Sequence, residues 1–190
     1  MKRITLILLL GAWPAAPALG QSAASVRETA LARISRAQAL AADPQILKAL
    51  REKNASKESM EEIQRKDKQW VESAQYPLRK ALSDGPCARR LRELTRDDAI
   101  IVEAILMDAQ GANVCVSRET SDYWQGDEAK FQKTFGADKD VFVDEPALDV
   151  STGTYAIQLS VLVRDGGTRA GALTLSLRVR KQDVAGEKPR

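Results

Sequence analysis

Hydrophobic positions recur every three or four residues through the first half of the chain, the spacing that gives a helix one buried face. Between Ala23 and about Asn54 these positions are Val26, Ala30, Ile34, Ala37, Leu40 and Ala41. Asp43 and Pro44 interrupt the run, because the Asp43 carboxylate can cap a helix and proline fits a first helical turn. The pattern therefore predicts one long N-terminal helix with a kink at Pro44.

A second helical stretch follows the polar segment "NASKES". One of its faces carries Met60, Ile63, Asp67 and Trp70, and we interpret Trp70 as a core residue. Short helices are also predicted over "PLRKAL" and over 87–94, on either side of the loop signal "SDGP".

The hydrophobic period changes to two residues after Asp98. "AIIVEAILMD" and "ANVCVS" predict an antiparallel hairpin around the turn "DAQG". "DVFVDEPALDV" predicts a third strand that bends at Pro146, because proline has no N–H for the ladder. "TYAIQLSVLV" and "RAGALTLSLRV" alternate around the turn "DGGT". An irregular "RETSDYWQG" and a short helix "DEAKFQKTFG", stopped by Gly136, separate the hairpin from the third strand.

Helices followed by strands predict an α+β fold, with the long kinked helix packed on one antiparallel sheet of about five strands. We divide the chain into a leader (1–20), a helical region (21–96), a sheet with a loop-helix insertion (97–181) and a polar tail (182–190).

The first twenty residues have the pattern of a signal peptide. Lys2 and Arg3 precede the apolar run "ITLILLL", and Ala18 and Gly20 are the small residues that signal peptidase requires. We expect cleavage after Gly20 and export to the periplasm. The alternative is an uncleaved membrane anchor, although the apolar run is shorter than the roughly 20 residues that span a bilayer.

Charge is unevenly distributed along the chain. Without Lys2 and Arg3 there are 27 basic and 26 acidic residues. Residues 21–96 carry 16 basic and 10 acidic side chains, residues 97–163 carry 4 and 13, and residues 164–190 carry 7 and 3. An acidic middle without a basic stripe argues against nucleic acid as a partner.

The residue types limit the chemistry. The chain has no histidine, so histidine-dependent triads and histidine-bearing metal sites are excluded. We find no phosphate-binding glycine motif and no calcium loop. We therefore predict a non-enzymatic protein without catalytic residues, metal or cofactor. Cys87 and Cys115 are expected to form a disulfide, since exported thiols tend to oxidise; the alternative is two unpaired thiols.

Tyr123 and Trp124 form an aromatic pair in a loop between strands, where binding residues concentrate. Both side chains combine an apolar wall with a hydrogen-bonding group, as small-ligand pockets require. The alternative is that the aromatic side chains cover one end of the sheet as core. We interpret Asp122 or Asp127 as the N-cap of the helix that follows.

Residues from about 24 to 180 resemble the extracytoplasmic PAS-like sensor domains called Cache (PDC sensor) domains, of the single-module type. The matching pieces are "DPQILKALREKN", the hairpin ending in "CVS", "SDYWQGDEAKF", "VFVDEPALDVSTGTYAIQLSVLV" and "DGGTRAGALTLSL". Gly153 and Gly171 match the glycines that precede and open the last two strands of that family.

The resemblance implies a PAS-like sheet and a ligand held between this sheet and the loop-helix segment after the hairpin. The positions implied for ligand binding are Tyr123, Trp124, Asp127, Arg118, Tyr155 and Asp149. The ligand expected for such a site is an amino acid or organic acid. Such domains usually lie between two transmembrane helices, and we find no second membrane segment here.

Three functions stay open at this point. A stand-alone exported binding module would signal through a partner, such as a membrane-bound signalling protein, with the long basic helix as docking face or as a homodimer contact. A structural or assembly protein of the cell envelope would keep the fold without a ligand. An enzyme would need a reactive constellation that we do not find.

We expect the exported chain to begin at Gln21. Intact-mass measurement of the protein recovered from whole cells checks this, and Ala18→Arg should block processing because signal peptidase needs a small residue there. A recovered mass that still includes residues 1–20 would favour the anchor instead.

Overall fold

A computed structural model describes residues 23–149, 153–180 and Val184. The predicted leader and, apart from Val184, the predicted polar tail lie outside the described residues. Within them, helices occupy the first part of the chain and an antiparallel sheet the second, so the α+β prediction is confirmed. None of the helices in these ranges is long and apolar enough to cross a membrane.

The predicted long helix is three helices. These are α1 (Ala23–Leu31), α2 (Ile34–Ala41) and α3 (Pro44–Ala55). The break before α3 is the predicted kink: the Asp43 carboxylate accepts hydrogen bonds from the N–H groups of Gln45 (3.0 Å) and Ile46 (3.3 Å), and Pro44 occupies the first turn. The break between α1 and α2 has no proline, and periodicity alone did not reveal it.

Three further helices complete the helical region. They are α4 (Met60–Glu72), α5 (Pro77–Asp84) and α6 (Pro86–Thr95). Ser59 and Glu62 form a reciprocal capping box that fixes the start of α4. Both α5 and α6 begin with proline, whose fixed φ suits a first helical turn and whose missing N–H is not needed there.

The sheet has six strands rather than about five. They are β1 (Ile101–Met107), β2 (Asn113–Val116), β3 (Val141–Val143), β4 (Ala147–Asp149), β5 (Thr154–Asp165) and β6 (Thr168–Arg178). The order is β2-β1-β6-β5-β3, and β4 also pairs with β5. The predicted third strand is divided into β3 and β4 because Pro146 lies between them.

The insertion between β2 and β3 contains helix α7 (Ala129–Phe131), which continues as a π-helical turn over Gln132–Gly136. We call Ala129–Gly136 the α7–π segment. The predicted end at Gly136 is confirmed. The predicted N-cap is wrong: the capping position is Glu128, without a side-chain cap bond, because the helix begins later than expected.

The main core lies between one face of the sheet and the helices. Leu106, Leu173 and Val161 form one row across β1, β6 and β5 on this face, and all are buried. Ala37, Leu40, Ile46, Leu50 and Leu91 from the helices pack in the same cluster. Burial of this apolar surface is the main stabilising contribution, at about 25 cal/mol per Å².

Cys87 and Cys115 form the predicted disulfide, with their Cα atoms 5.9 Å apart. Cys87 lies in the first turn of α6 and Cys115 in the edge strand β2. The bond therefore joins the helical region to the edge of the sheet.

Replacing both cysteines with serine should lower the free energy of unfolding by about 3–4 kcal/mol, because the unfolded chain then gains the conformations that the closed loop excluded. Urea unfolding of the two proteins under oxidising conditions measures the difference. The wild-type protein with added reductant should unfold like the variant, and equal stability of all three samples would contradict the expectation.

Candidate functional site

The loop that contains Tyr123 and Trp124 crosses the β1–β2 turn like an additional edge strand. The N–H of Asn113 donates to the carbonyl of Tyr123 (2.9 Å), and that of Gln125 donates to the carbonyl of Gly111 (2.8 Å). Gly111 has φ +84°, and a Cβ there would clash with the Cα of Gly126. Glycine at this turn therefore permits the loop to approach.

Asp67 of α4 fixes the aromatic pair. Its Oδ1 accepts hydrogen bonds from the backbone N–H groups of Tyr123 (2.8 Å) and Trp124 (2.9 Å). The indole N–H of Trp124 donates to the carbonyl of Gln110 (2.8 Å). Loop, helix and β1–β2 turn are thus held together by hydrogen bonds.

The Tyr123 ring lies in a core cluster. It is 1% exposed and packs against Trp70, with ring centroids 6.0 Å apart. Ile63 and Ala112 complete the buried part of the cluster, and Trp124 packs against it half-buried. Trp70 is a core residue as predicted, and its indole N–H donates to the carbonyl of Thr120 (2.9 Å).

The phenol of Tyr123 belongs to a buried ionic group. Its oxygen lies 2.7 Å from Nζ of Lys53, from which it accepts a hydrogen bond, and it donates to Oε2 of Glu58 at 3.0 Å. Lys53 and Lys66 each form an ion pair with the Glu58 carboxylate. We call Lys53, Glu58, Lys66 and Tyr123 the Glu58 cluster.

Burial and neighbouring charges shift the pKa values of Glu58 and Tyr123 in opposite directions. Burial would raise the pKa of Glu58, but the hydrogen bonds from Lys53, Lys66 and Tyr123 outweigh it, so that pKa is lowered. Burial, followed by the Glu58 charge, raises the pKa of Tyr123 well above its usual value. Glu58 is therefore ionised and Tyr123 neutral at neutral pH.

A cavity of 540 Å³ adjoins the Glu58 cluster, between the α3–α4 connection, the β1–β2 turn and the start of β6. We call it the charged cavity. Its ionisable lining side chains are Lys53, Lys57, Glu58, Asp108 and Arg169. A volume of this size is within the range of small-molecule sites.

Asp108 is the second buried acid that lines the charged cavity. Its Oδ1 accepts hydrogen bonds from the N–H groups of Gln110 (2.8 Å) and Ala112 (2.9 Å). Its Oδ2 lies 3.8 Å from Nζ of Lys53 and accepts no hydrogen bond from the described residues. Burial raises the pKa of Asp108, although the two backbone hydrogen bonds and Lys53 oppose the shift.

The other predicted ligand-binding residues lie elsewhere. Asp127 is exposed in the loop, and Arg118 is exposed beside the start of β1. Asp149 pairs with Thr154, and Tyr155 with Leu148, at the start of β5. Leu162 is the residue of β5 that lies level with the β1–β2 turn. Tyr155 is seven residues away from it along the strand, or about 23 Å. The six residues do not form one site, and their roles in ligand binding stay predictions.

Sequence reasoning missed the Glu58 cluster and the charged cavity. Glu58 lies in "NASKES", which we interpreted only as a break between helices. The available signal was the capping box that begins at Ser59, which places Glu58 at the entrance of a helix. Nothing local to Glu58 indicated that Lys53 and Tyr123 would surround it.

The second face of the sheet also carries polar residues that we had not singled out. Glu103 and Ser176 are directly opposite each other, and Ser176 Oγ donates to Glu103 Oε2 (3.2 Å). In the next row Ser160 and Thr174 share a hydrogen bond of 2.8 Å. All four are at most 2% exposed. Short serine and threonine side chains at 160, 174 and 176 were the sequence signal for a covered face, since exposed strand positions more often carry long charged side chains.

No family model matches the chain, and no curated protein matches it at a significant level. Solved structures do. The sensor domain of the V. cholerae histidine kinase DctB is 11% identical, with a TM-score of 0.49, over 82% of this chain and 52% of that one.

Two chemoreceptor domains are also similar. The ligand-binding domain of the Pseudomonas aeruginosa amino acid chemoreceptor PctC, solved with GABA, is 20% identical over 60% of this chain and 59% of that one, with a TM-score of 0.41. The sensory domain of Campylobacter jejuni Tlp3, solved with isoleucine, is 14% identical over 83% and 62%, with a TM-score of 0.40.

This chain spans about half of the DctB domain and less than two thirds of the other two. All three proteins are sensor or ligand-binding domains, and their TM-scores to this chain are below 0.5. Identities below 25% give no basis for assigning residue roles from them.

Glu58→Gln should destabilise the protein by about 3 kcal/mol at pH 7, because Lys53 and Lys66 then lose a buried counter-charge. The lowered pKa of Glu58 means that its ionised form stabilises the fold above the unfolded value of about 4.3. That contribution is lost as the pH falls through the lower folded pKa. The difference in the free energy of unfolding between the variant and the wild type should therefore be smaller in acid than at pH 7.

Urea unfolding at pH 7 and at pH 3 measures both effects. Glu61→Gln is the matched control, since Glu61 is an exposed acid three residues further along, in the first turn of α4, and should change stability by less than about 0.5 kcal/mol. A difference that is constant across the pH range would contradict the assignment.

Proposed function

We propose that this protein is a periplasmic, non-enzymatic sensing module that binds a small polar ligand in the charged cavity and signals through a partner protein. The observation that carries the proposal is the arrangement of opposite charges around 540 Å³ of space. A ligand with both an ammonium and a carboxylate group, such as an amino acid, matches those charges.

Asp108 supplies the site for the ammonium group. Its Oδ1 is held by two backbone N–H groups, which fix the orientation of the carboxylate. Oδ2 keeps its acceptor capacity, with Lys53 at 3.8 Å as a nearby cation. A ligand ammonium at Oδ2 would replace the water that burial removes and would lower the pKa of Asp108 toward its usual value.

Lys57 and Arg169 supply the site for the carboxylate group. Both side chains are exposed at the rim of the cavity. Arg169 is oriented by a hydrogen bond to the carbonyl of Phe135 (3.1 Å), by its position over the Phe135 ring and by an exposed ion pair with Asp138 (3.8 Å). A guanidinium group held in this way offers its remaining N–H groups to a carboxylate.

In this proposal Tyr123 and Trp124 are positioning residues. The Tyr123 hydroxyl orients Lys53 and Glu58, which line the cavity. The Trp124 indole orients the carbonyl of Gln110, whose own side-chain amide donates to the carbonyl of Glu58 (2.8 Å). The proposed site does not include Arg118, Asp127, Tyr155 or Asp149, because none of them lines the charged cavity.

The step from binding to signalling involves the elements around the cavity. Arg51 of α3 forms a bidentate ion pair with Asp165, next to the β5–β6 turn, with both distances 2.6 Å. A ligand that bridges Asp108 and Arg169 would tighten the same end of the sheet against α3. We propose that the partner contacts the arginine-rich surface of the N-terminal helices, where such a change is transmitted.

One observation favours a second function. The space between the aromatic loop and α4 is filled by Trp70, Ile63 and Tyr123 rather than open. A structural or assembly protein of the cell envelope would need no pocket there. This alternative keeps the fold and assigns the charged groups to stability alone.

Thermal unfolding of the mature protein with a library of amino acids, carboxylates and polyamines separates the two functions. A ligand at 100 times its Kd should add about 2.7 kcal/mol of stability. We expect stabilisation by compounds that carry both charges, and loss of the shift in Lys57→Gln/Arg169→Gln. Trp124→Ala should weaken the same shift through Gln110.

Arg65→Gln is the matched control, because Arg65 is exposed on α4 away from the cavity. It should leave the ligand shift unchanged. Ligand shifts that persist in Lys57→Gln/Arg169→Gln would place the site elsewhere, and a library without hits would favour the assembly function.

A further inference from the structure

A second cavity, of 330 Å³, lies between the end of α6 and the start of β1 and is bordered by the residues that follow β2. We call it the arginine groove. Its polar lining side chains are Arg92, Thr95, Arg96, Asp98, Ser117 and Arg118. Three guanidinium groups therefore border one small space.

Arg92 is fixed at the wall of this groove. One of its terminal N–H groups donates to the carbonyls of Ser83 (2.5 Å) and Ser117 (3.1 Å). These two bonds join the end of α5 to the segment after β2. They hold a positive charge in place before any ligand arrives, so that little side-chain entropy is lost on binding.

Arg96 and Arg118 are exposed, and the charge of Arg96 contributes to lowering the pKa of the neighbouring Asp97. Within the ranges that the structure describes, neither forms a hydrogen bond or an ion pair within 4.0 Å. Ser117 adds a hydroxyl group whose oxygen accepts the N–H of Ala104 (2.8 Å), which leaves its own proton available to an acceptor.

Asp98 does not cancel this charge. Its two carboxylate oxygens accept hydrogen bonds from Arg33 of the α1–α2 connection, at 2.7 and 3.2 Å. The Arg33 hydrogen bonds lower the pKa of Asp98, which stays ionised and paired with a residue that does not line the groove. The three lining arginines are thus in excess over acid.

We propose that the arginine groove binds a small dianion, either a phosphate group or a dicarboxylate. Guanidinium groups match both geometrically, since their paired N–H groups face two oxygens at once. Arg92 is the fixed donor, Arg96 and Arg118 close on the ligand from opposite elements, and Ser117 donates the remaining hydrogen bond.

This site is independent of the charged cavity. Arg118 lies beside Ile101 and Val102 at the start of β1, whereas Asp108 follows its end. The seven residues of β1 separate the two sites by roughly 20 Å. Failure of either proposal leaves the other unaffected.

Isothermal titration of the full mature chain with inorganic phosphate, succinate and acetate, at constant ionic strength set with sodium chloride, tests the groove. We expect phosphate or succinate to bind with one-to-one stoichiometry and acetate at least tenfold more weakly. Arg96→Gln/Arg118→Gln should weaken binding of the dianion about a hundredfold, about tenfold for each guanidinium group removed. Arg92 is left intact because it also joins two elements.

Arg65→Gln/Lys139→Gln removes the same charge from exposed positions elsewhere and should leave the affinity within about twofold. Binding of phosphate alone assigns the groove to phosphate groups, and binding of succinate alone assigns it to dicarboxylates. No binding by either dianion, or equal weakening in the two double variants, would overturn the proposal. Lys57→Gln/Arg169→Gln should bind the dianion normally, which distinguishes this site from the amino-acid site.

Discussion

The structure depends on one buried carboxylate, that of Glu58. A carboxylate removed from water needs positive charge and hydrogen bonds to replace its hydration. Here Lys53 comes from α3, Lys66 from α4 and Tyr123 from the loop beyond β2. The Gln110 side chain adds a hydrogen bond to the Glu58 backbone carbonyl. These groups meet only when the helical region and the sheet have both folded, so the carboxylate couples the two halves of the chain.

Periodicity predicted the elements of the fold well because it is a local property. The two-residue alternation of β5 and β6 and the proline at the start of α3 both act within a few residues. The number of helices in the N-terminal region was not predictable in this way. The break between α1 and α2 lies where Arg33 turns toward Asp98, 65 residues later in sequence, and no local pattern signals that contact.

The candidate site was less predictable than the fold, for the same reason. The sequence drew attention to the aromatic pair, but the surroundings of this pair come from distant residues. Asp67 is 56 residues from Tyr123, and Glu58 is 65 residues away. The residue types suggested that Tyr123 forms the wall of a ligand pocket. In the structure the Tyr123 ring packs against the Trp70 ring instead. Sequence thus identified an unusual loop, and only the tertiary contacts distinguish a residue that touches a ligand from one that positions its neighbours.

The disulfide has a consequence for the order of events in the cell. Cys87 and Cys115 attach the edge strand β2 to α6, and the bond forms only under oxidising conditions. If the leader directs export as expected, the chain lacks this attachment until it has left the reducing compartment. A chain that is less stable before translocation than after it remains easier to unfold for passage through the membrane. After translocation the disulfide forms and stabilises the folded state relative to the unfolded chain.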